Sequence, residues 1–171
     1  VEFDAILAPH RDATLERLKQ YKSIVVAQDT SEIEVTRPEQ QVEGAGPLDA
    51  GARRGFFVHP LLALTPEGIP LGTLTAKCWT REDKAEEETL DKAARDKKRK
   101  QTAIEDKESI RWVDGMHEGH AVAALVPQVE VIVVADSEAD IFELLVEAQE
   151  KNVESAEPQA QWIVRACYDR V

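Results

Sequence analysis

Asp29 and Asp136 each close a run of aliphatic residues, Ile24-Val25-Val26-Ala27-Gln28 before the first and Val131-Ile132-Val133-Val134-Ala135 before the second. A carboxylate just past a buried strand is fixed in place by the sheet while its charge stays near water. Two such strands lying side by side would bring both acids to one edge, where a divalent cation could be held between them. The two are far apart in sequence, so only the fold can join them. The competing reading is plain. Asp is favoured at strand ends and helix N-caps, and Ser137-Glu138-Ala139-Asp140-Ile141 after Asp136 reads as a helix start.

Other residues offer weaker chemistry. His117 and His120 stand three apart on an expected helix, a spacing that can ligate zinc. With no further ligands nearby, a packed or solvated helix face is the better reading. Glu138, Asp140 and Glu143 fit the first turn of a helix, where the dipole favours acids. Arg165 falls within an apolar strand-like run and needs a partner, either a core acid or a substrate phosphate. Cys78 and Cys167 also lie in apolar runs and read as buried, reduced thiols.

A net charge of −12 excludes a protein that coats nucleic acid through broad electrostatics. The charge is uneven, however. Glu82 to Glu88 is acidic, while Lys92 to Lys100 is strongly basic. Local positive charge can still track a phosphate backbone, which nominates Lys97, Lys98, Arg99 and Lys100, with the Arg53-Arg54 pair, as DNA-binding residues. No apolar run approaches the ~20 residues of a membrane span, and the N-terminus has no signal-peptide pattern.

The elements that must position these residues follow from periodicity. Leu15, Leu18 and Tyr21 mark a short helix over about Asp12 to Tyr21, followed by a strand from Ser23 to Asp29. The unbroken Val and Ile content of this strand and of the one before Asp136 predicts cover on both faces. Residues 37–54 read as a long loop. Gly55 to Leu64 is a second strand, whose Pro60 implies an edge or a bulge, and Thr65-Pro66-Glu67-Gly68 turns it into a third from Ile69 to Thr80. Residues 81–101 are charged and almost without large apolar groups, which predicts a mobile insertion. Ile110, Val113, His117, His120 or Ala121, and Ala124 then mark a helix that ends before Pro127. The Asp136 strand, a helix over about Glu138 to Glu150 and a last strand from Gln161 to Cys167 complete the chain. The order strand-strand-strand-helix-strand-helix-strand is that of a ribonuclease-H-like α/β fold, a mixed five-stranded sheet flanked by helices. In it the first and fourth strands are parallel neighbours, carrying Asp29 and Asp136.

Several segments resemble the insertion-sequence class of DDE cut-and-paste transposases: Gln28-Asp29-Thr30-Ser31, Arg54-Gly55-Phe56-Phe57-Val58-His59, Lys107-Glu108-Ser109 with Trp112, Asp136-Ser137-Glu138-Ala139-Asp140-Ile141, and Trp162-Ile163-Val164-Arg165. Ser137 stands where that motif commonly has Arg. The resemblance implies a single ribonuclease-H-like catalytic domain over residues 1–171. Its Asp29 and Asp136 would be two of three acidic ligands for Mg²⁺ or Mn²⁺, and Arg165 would contact phosphate. It further implies DNA ends and target DNA as substrates, action in a bacterial cytoplasm, no membrane partner, and room for a homodimer in the full-length protein. The family's third ligand, a Glu on a later helix, and its N-terminal DNA-recognition region have no counterpart, so the resemblance reads this chain as a central fragment, inactive alone. A metal-dependent nuclease of the same fold and a non-catalytic DNA-binding remnant are the alternatives. A response-regulator-like module, suggested by Val-Val-Ala-Asp before a helix, is contradicted by the expected hairpin between Gly55 and Thr80.

Overall fold

A computed structural model describes residues 2–37, 40, 42–49, 51–82, 91–154, 158–167 and 169. In chain order the elements are α1 (Phe3–Leu18), β1 (Ser23–Gln28), β2 (Ser31–Glu34), β3 (Gly46–Pro47), β4 (Arg54–Leu64), β5 (Pro70–Trp79), α2 (Lys92–Gln101), α3 (Ile110–Leu125), β6 (Glu130–Ala135), α4 (Phe142–Glu154) and β7 (Gln161–Val164), with single 3₁₀ turns at Ile104–Asp106 and Ser137–Ala139. The protein is thus α/β. The chain divides into two compact units, one of residues 1–29, 59–76 and 111–171, the other of residues 30–58 and 77–110.

In the first unit, β1 lies between β4 and β6, and β6 lies between β1 and β7. β1 runs antiparallel to β4, with Gln28 opposite Leu61, and parallel to β6, with Gln28 opposite Ala135. β6 and β7 are also parallel. This is a mixed, open sheet. Leu18 of α1 and Val122, Ala123 and Val126 of α3 and its end pack with Ile24, Val26, Val131 and Val133 to make the core. The sequence predicts strands covered on both faces. Instead β1 alternates, with Ile24, Val26 and Gln28 buried and Ser23, Val25 and Ala27 only half-buried. β6 does the same, with Val131 and Val133 buried and Ile132 and Val134 half-buried.

Helix α3 occurs where the periodicity places it, while α4 begins at Phe142 instead of Glu138, and the face of α3 differs. Its buried residues are Trp112, Val113, Gly115, Met116, Gly119, Val122 and Ala123, whereas His117 and Ala124 are exposed. The cause is close approach. A Cβ on Gly115 would overlap the side chain of Gln28, and one on Gly119 would overlap Val133, so the two glycines bring this helix down onto the sheet. Tyr21 lies beyond α1 and is exposed, and the helix begins nine residues earlier than its apolar spacing suggests, at Phe3.

Among the described residues seven strands form where five were expected. The additions, β2 and β3, belong to the second unit and are short, and all four residues of β2 are exposed. No apolar run announces Ser31–Glu34; the segment is extended because it pairs with β4 from Gly55 to Val58. Pro60 marks neither a sheet edge nor a register change. It falls in β4 between the residues paired with β2, Gly55 to Val58, and those paired with β1, Leu61 to Leu64, which keep one register.

In the second unit Phe57 stacks on Trp79, with centroids 5.4 Å apart, and Arg81 lies 4.1 Å over the Phe57 ring. Arg81 also pairs with Glu108 at 2.6 Å. Of the segment read as a mobile insertion, residues 83–90 lie outside the described residues, and Lys92–Gln101 forms α2, capped by Asp91, which accepts from the Ala94 amide at 2.7 Å.

Candidate functional site

Asp29 and Asp136 are the first residues beyond the C-terminal ends of β1 and β6. Because Gln28 stands opposite Ala135 in a parallel ladder, each aspartate is the next step on strands about 4.8 Å apart. Both are exposed. The sheet therefore carries two exposed aspartates to one edge, each one residue past a core strand.

Asp136 also has the ordinary role. Its Oδ1 accepts from the Glu138 amide at 2.8 Å and caps the 3₁₀ turn Ser137–Ala139. A capping carboxylate uses one oxygen in this way and keeps lone pairs for a cation, so the two roles are compatible.

Arg165 joins this edge. It follows β7, whose Val164 pairs with Ala135, and its amide donates to the Ala135 carbonyl at 3.2 Å. Its side chain is not inside an apolar strand, as the sequence suggests, but exposed, with one guanidinium N–H 3.3 Å from Ser137 Oγ. Nearby Arg111 donates to Glu138 at 2.9 Å, so Glu138 answers an internal arginine. Asp140 is buried and accepts from the Cys167 amide at 2.7 Å, tying the chain after β7 back to the turn. The acids of the Asp136–Asp140 stretch are thereby sorted: Asp136 at the edge, Glu138 paired, Asp140 a clamp.

The remaining candidates are placed elsewhere. Arg53 is surrounded by Glu32 at 2.9 Å, Glu34 at 3.0 Å and Asp49 at 3.4 Å. Hydrogen bonds that Arg53 donates to Glu34, then to Glu32, hold its pKa above the ordinary arginine value. Its charge is already neutralised, which weighs against it as a phosphate contact. Arg54 donates to the Ala45 carbonyl at 3.1 Å. Lys97, Lys98 and Lys100 are exposed on α2, and Arg99 belongs to the same helix.

The histidine pair does not converge. His120 Nδ1 accepts from the Ala160 amide at 3.2 Å, and His117 contacts Glu147. Among the described residues no group of three or more His, Cys, Asp or Glu side chains could hold a metal ion. The cysteines are a correction. Cys78 and Cys167 are both free and exposed, because Cys78 falls near the end of β5 and Cys167 lies three residues past β7. Partial burial still pushes the Cys78 thiol pKa up, making it a poor thiolate. Cys78 also borders an apolar groove of about 430 Å³ in the second unit, with Val35, Val42, Phe56 and Trp79.

Two residues escaped the sequence reading. Gln28 and His59 are buried and joined side chain to side chain at 3.2 Å, directly behind Asp29. Polar side chains in otherwise aliphatic strands were the available signal. No helix among the described residues is long and apolar enough to cross a membrane. No protein-family model matches the chain, and no curated protein matches it significantly.

Proposed function

We propose that this chain carries part of the catalytic core of a DDE transposase of the insertion-sequence class, built on a ribonuclease-H-like sheet and acting on DNA in a bacterial cytoplasm. The observation that carries the reading is the in-register parallel pairing of β1 with β6, which leaves Asp29 and Asp136 side by side at one sheet edge. The pairing of β5 with β4, of β4 antiparallel to β1, and of β6 parallel to β7 supports the same reading.

The donor set suits Mg²⁺ or Mn²⁺. Asp29 and Asp136 offer hard carboxylate oxygens, and both are exposed enough for a cation that keeps several waters. Such a cation supplies charge neutralisation at the phosphate and activation of the attacking oxygen. The protein's own part is placement. Asp29 and Asp136 fix the position of the charge, and Arg165 offers a guanidinium N–H beside them to a phosphate oxygen.

The test is made on the full-length gene product with Mg²⁺ and DNA bearing the element's ends. End cleavage followed by joining to target DNA is expected, with Asp29→Asn and Asp136→Asn each abolishing both steps in folded protein. Cleavage without joining would identify a nuclease instead. Undiminished activity in either variant would refute the assignment.

A further inference from the structure

We propose that Gln28 and His59 are a positioning pair that sets the end of β1 and so the placement of Asp29; this rests on reading Asp29 as a metal-binding carboxylate. His59 is 2% exposed and Gln28 5% exposed, and His59 Nε2 lies 3.2 Å from Gln28 Oε1. An amide oxygen only accepts, so the proposed bond requires the His59 tautomer protonated on Nε2. Burying two polar side chains costs free energy unless they are paired, and the same face of these strands is otherwise filled by Ile24, Val26, Leu61 and Ala63. An aliphatic pair would pack there without that cost.

The location gives the pair its use. In the antiparallel register Gln28 faces Leu61, so the next step sets Asp29 opposite Pro60. Proline has no N–H, and the β1–β4 ladder stops at Gln28. Asp29 falls between the stretches of β1 and β2 that pair with β4, and there the side-chain bond from the preceding residue adds a tie between β1 and β4. Helix α3 holds both partners. The Trp112 ring meets His59 edge-on at 4.7 Å, and Gly115 leaves the space that Gln28 Oε1 fills. On its other edge the Gln28 backbone faces Ala135, the residue before Asp136, so one residue references both acids.

The test measures Mn²⁺ affinity of the 171-residue chain by electron paramagnetic resonance. His59→Phe keeps a ring against Trp112 but removes the donor, and Gln28→Met keeps length but removes the acceptor. Each is expected to weaken Mn²⁺ binding about tenfold, and the double variant no further than either single. His59→Gln restores an N–H donor and is expected to bind within about twofold of the unaltered chain. Wild-type affinity in folded His59→Phe or Gln28→Met, or a His59→Gln variant as weak as His59→Phe, overturns the proposal. Should the variants fail to fold, ¹⁵N NMR of the unaltered chain decides. A His59 ring protonated on Nε2 supports the pair, and one protonated only on Nδ1 overturns it. Asp29→Asn separates the two readings: unchanged affinity there removes the metal site itself, whereas weakened binding there with normal binding in His59→Phe refutes the positioning role alone.

Discussion

Asp136 has two duties that substitution can separate. Its carboxylate caps the turn at Ser137–Ala139 through the Glu138 amide, and under the proposed function it also holds a cation. Asparagine caps as well as aspartate but brings no charge. Asp136→Asn is therefore expected to keep its denaturation midpoint while losing Mn²⁺ affinity, and Asp136→Ala to lose both, with a stability cost of about 1 kcal/mol. Chemical denaturation and metal titration of the two variants check this. The acidic cage of Arg53 makes a different prediction, about pH. Hydrogen bonds from Thr36, then from Arg53, lower the Glu34 pKa below its ordinary 4.5. A depressed carboxyl pKa stabilises the folded state above the unfolded value, and the gain disappears as pH falls through the folded one. The stability difference between the unaltered chain and Glu34→Gln is thus expected to be present at neutral pH and to close below pH 4.5. Both groups are exposed, so the difference is small and shrinks with added salt. A difference that persists at low pH would contradict the cage.

At the scale of elements, much of the first unit was legible because long strands and helices leave periodic apolar patterns. β1, β4, β5, α3 and β6 lie within a residue or two of their expected bounds, and the parallel adjacency of the two strands that lead to the aspartates followed from the element order. What escaped depended on packing that no local pattern records. β2 exists through β4, the true face of α3 is set by Gly115 and Gly119, and the Gln28–His59 bond joins residues on different strands. Arg165 was misplaced for a simpler reason, since β7 ends one residue before it. Helix α2 shows composition and structure agreeing in part. Lys97, Lys98 and Lys100 are exposed, but a helix carries them. With Arg99 of the same helix, they are the residues proposed to contact a phosphate backbone. Replacing all four by Gln is expected to weaken duplex binding for all sequences alike. It should also lower the slope of log affinity against log salt by roughly 0.9 for each phosphate that is no longer neutralised. Fluorescence anisotropy across a salt series gives that slope, and an unchanged slope would assign these residues to solvent alone.

At the scale of the whole molecule the net charge of −12 opposes DNA, so binding must be local and the chemistry must come from placement more than from affinity. Placement by two carboxylates is incomplete. Asp29 and Asp136 follow paired residues of neighbouring strands, but no third His, Cys, Asp or Glu forms a metal-holding group with them among the described residues. A divalent ion held by two side chains keeps most of its water and is free to shift, whereas in-line displacement at phosphorus needs the reacting atoms set within a fraction of an ångström. The 171-residue chain by itself is accordingly expected to bind Mn²⁺ weakly, at millimolar order, and to leave DNA uncut. Calorimetric titration with Mn²⁺ and incubation with supercoiled plasmid in Mg²⁺ or Mn²⁺ measure the two expectations separately. Adding a polypeptide segment that supplies a third carboxylate to this edge should tighten the metal and bring cleavage with it, in a manner that Asp29→Ala removes. Rapid metal-dependent cleavage by the chain alone, persisting in Asp136→Ala, would mean that other residues hold the metal and that the paired aspartates are only strand caps.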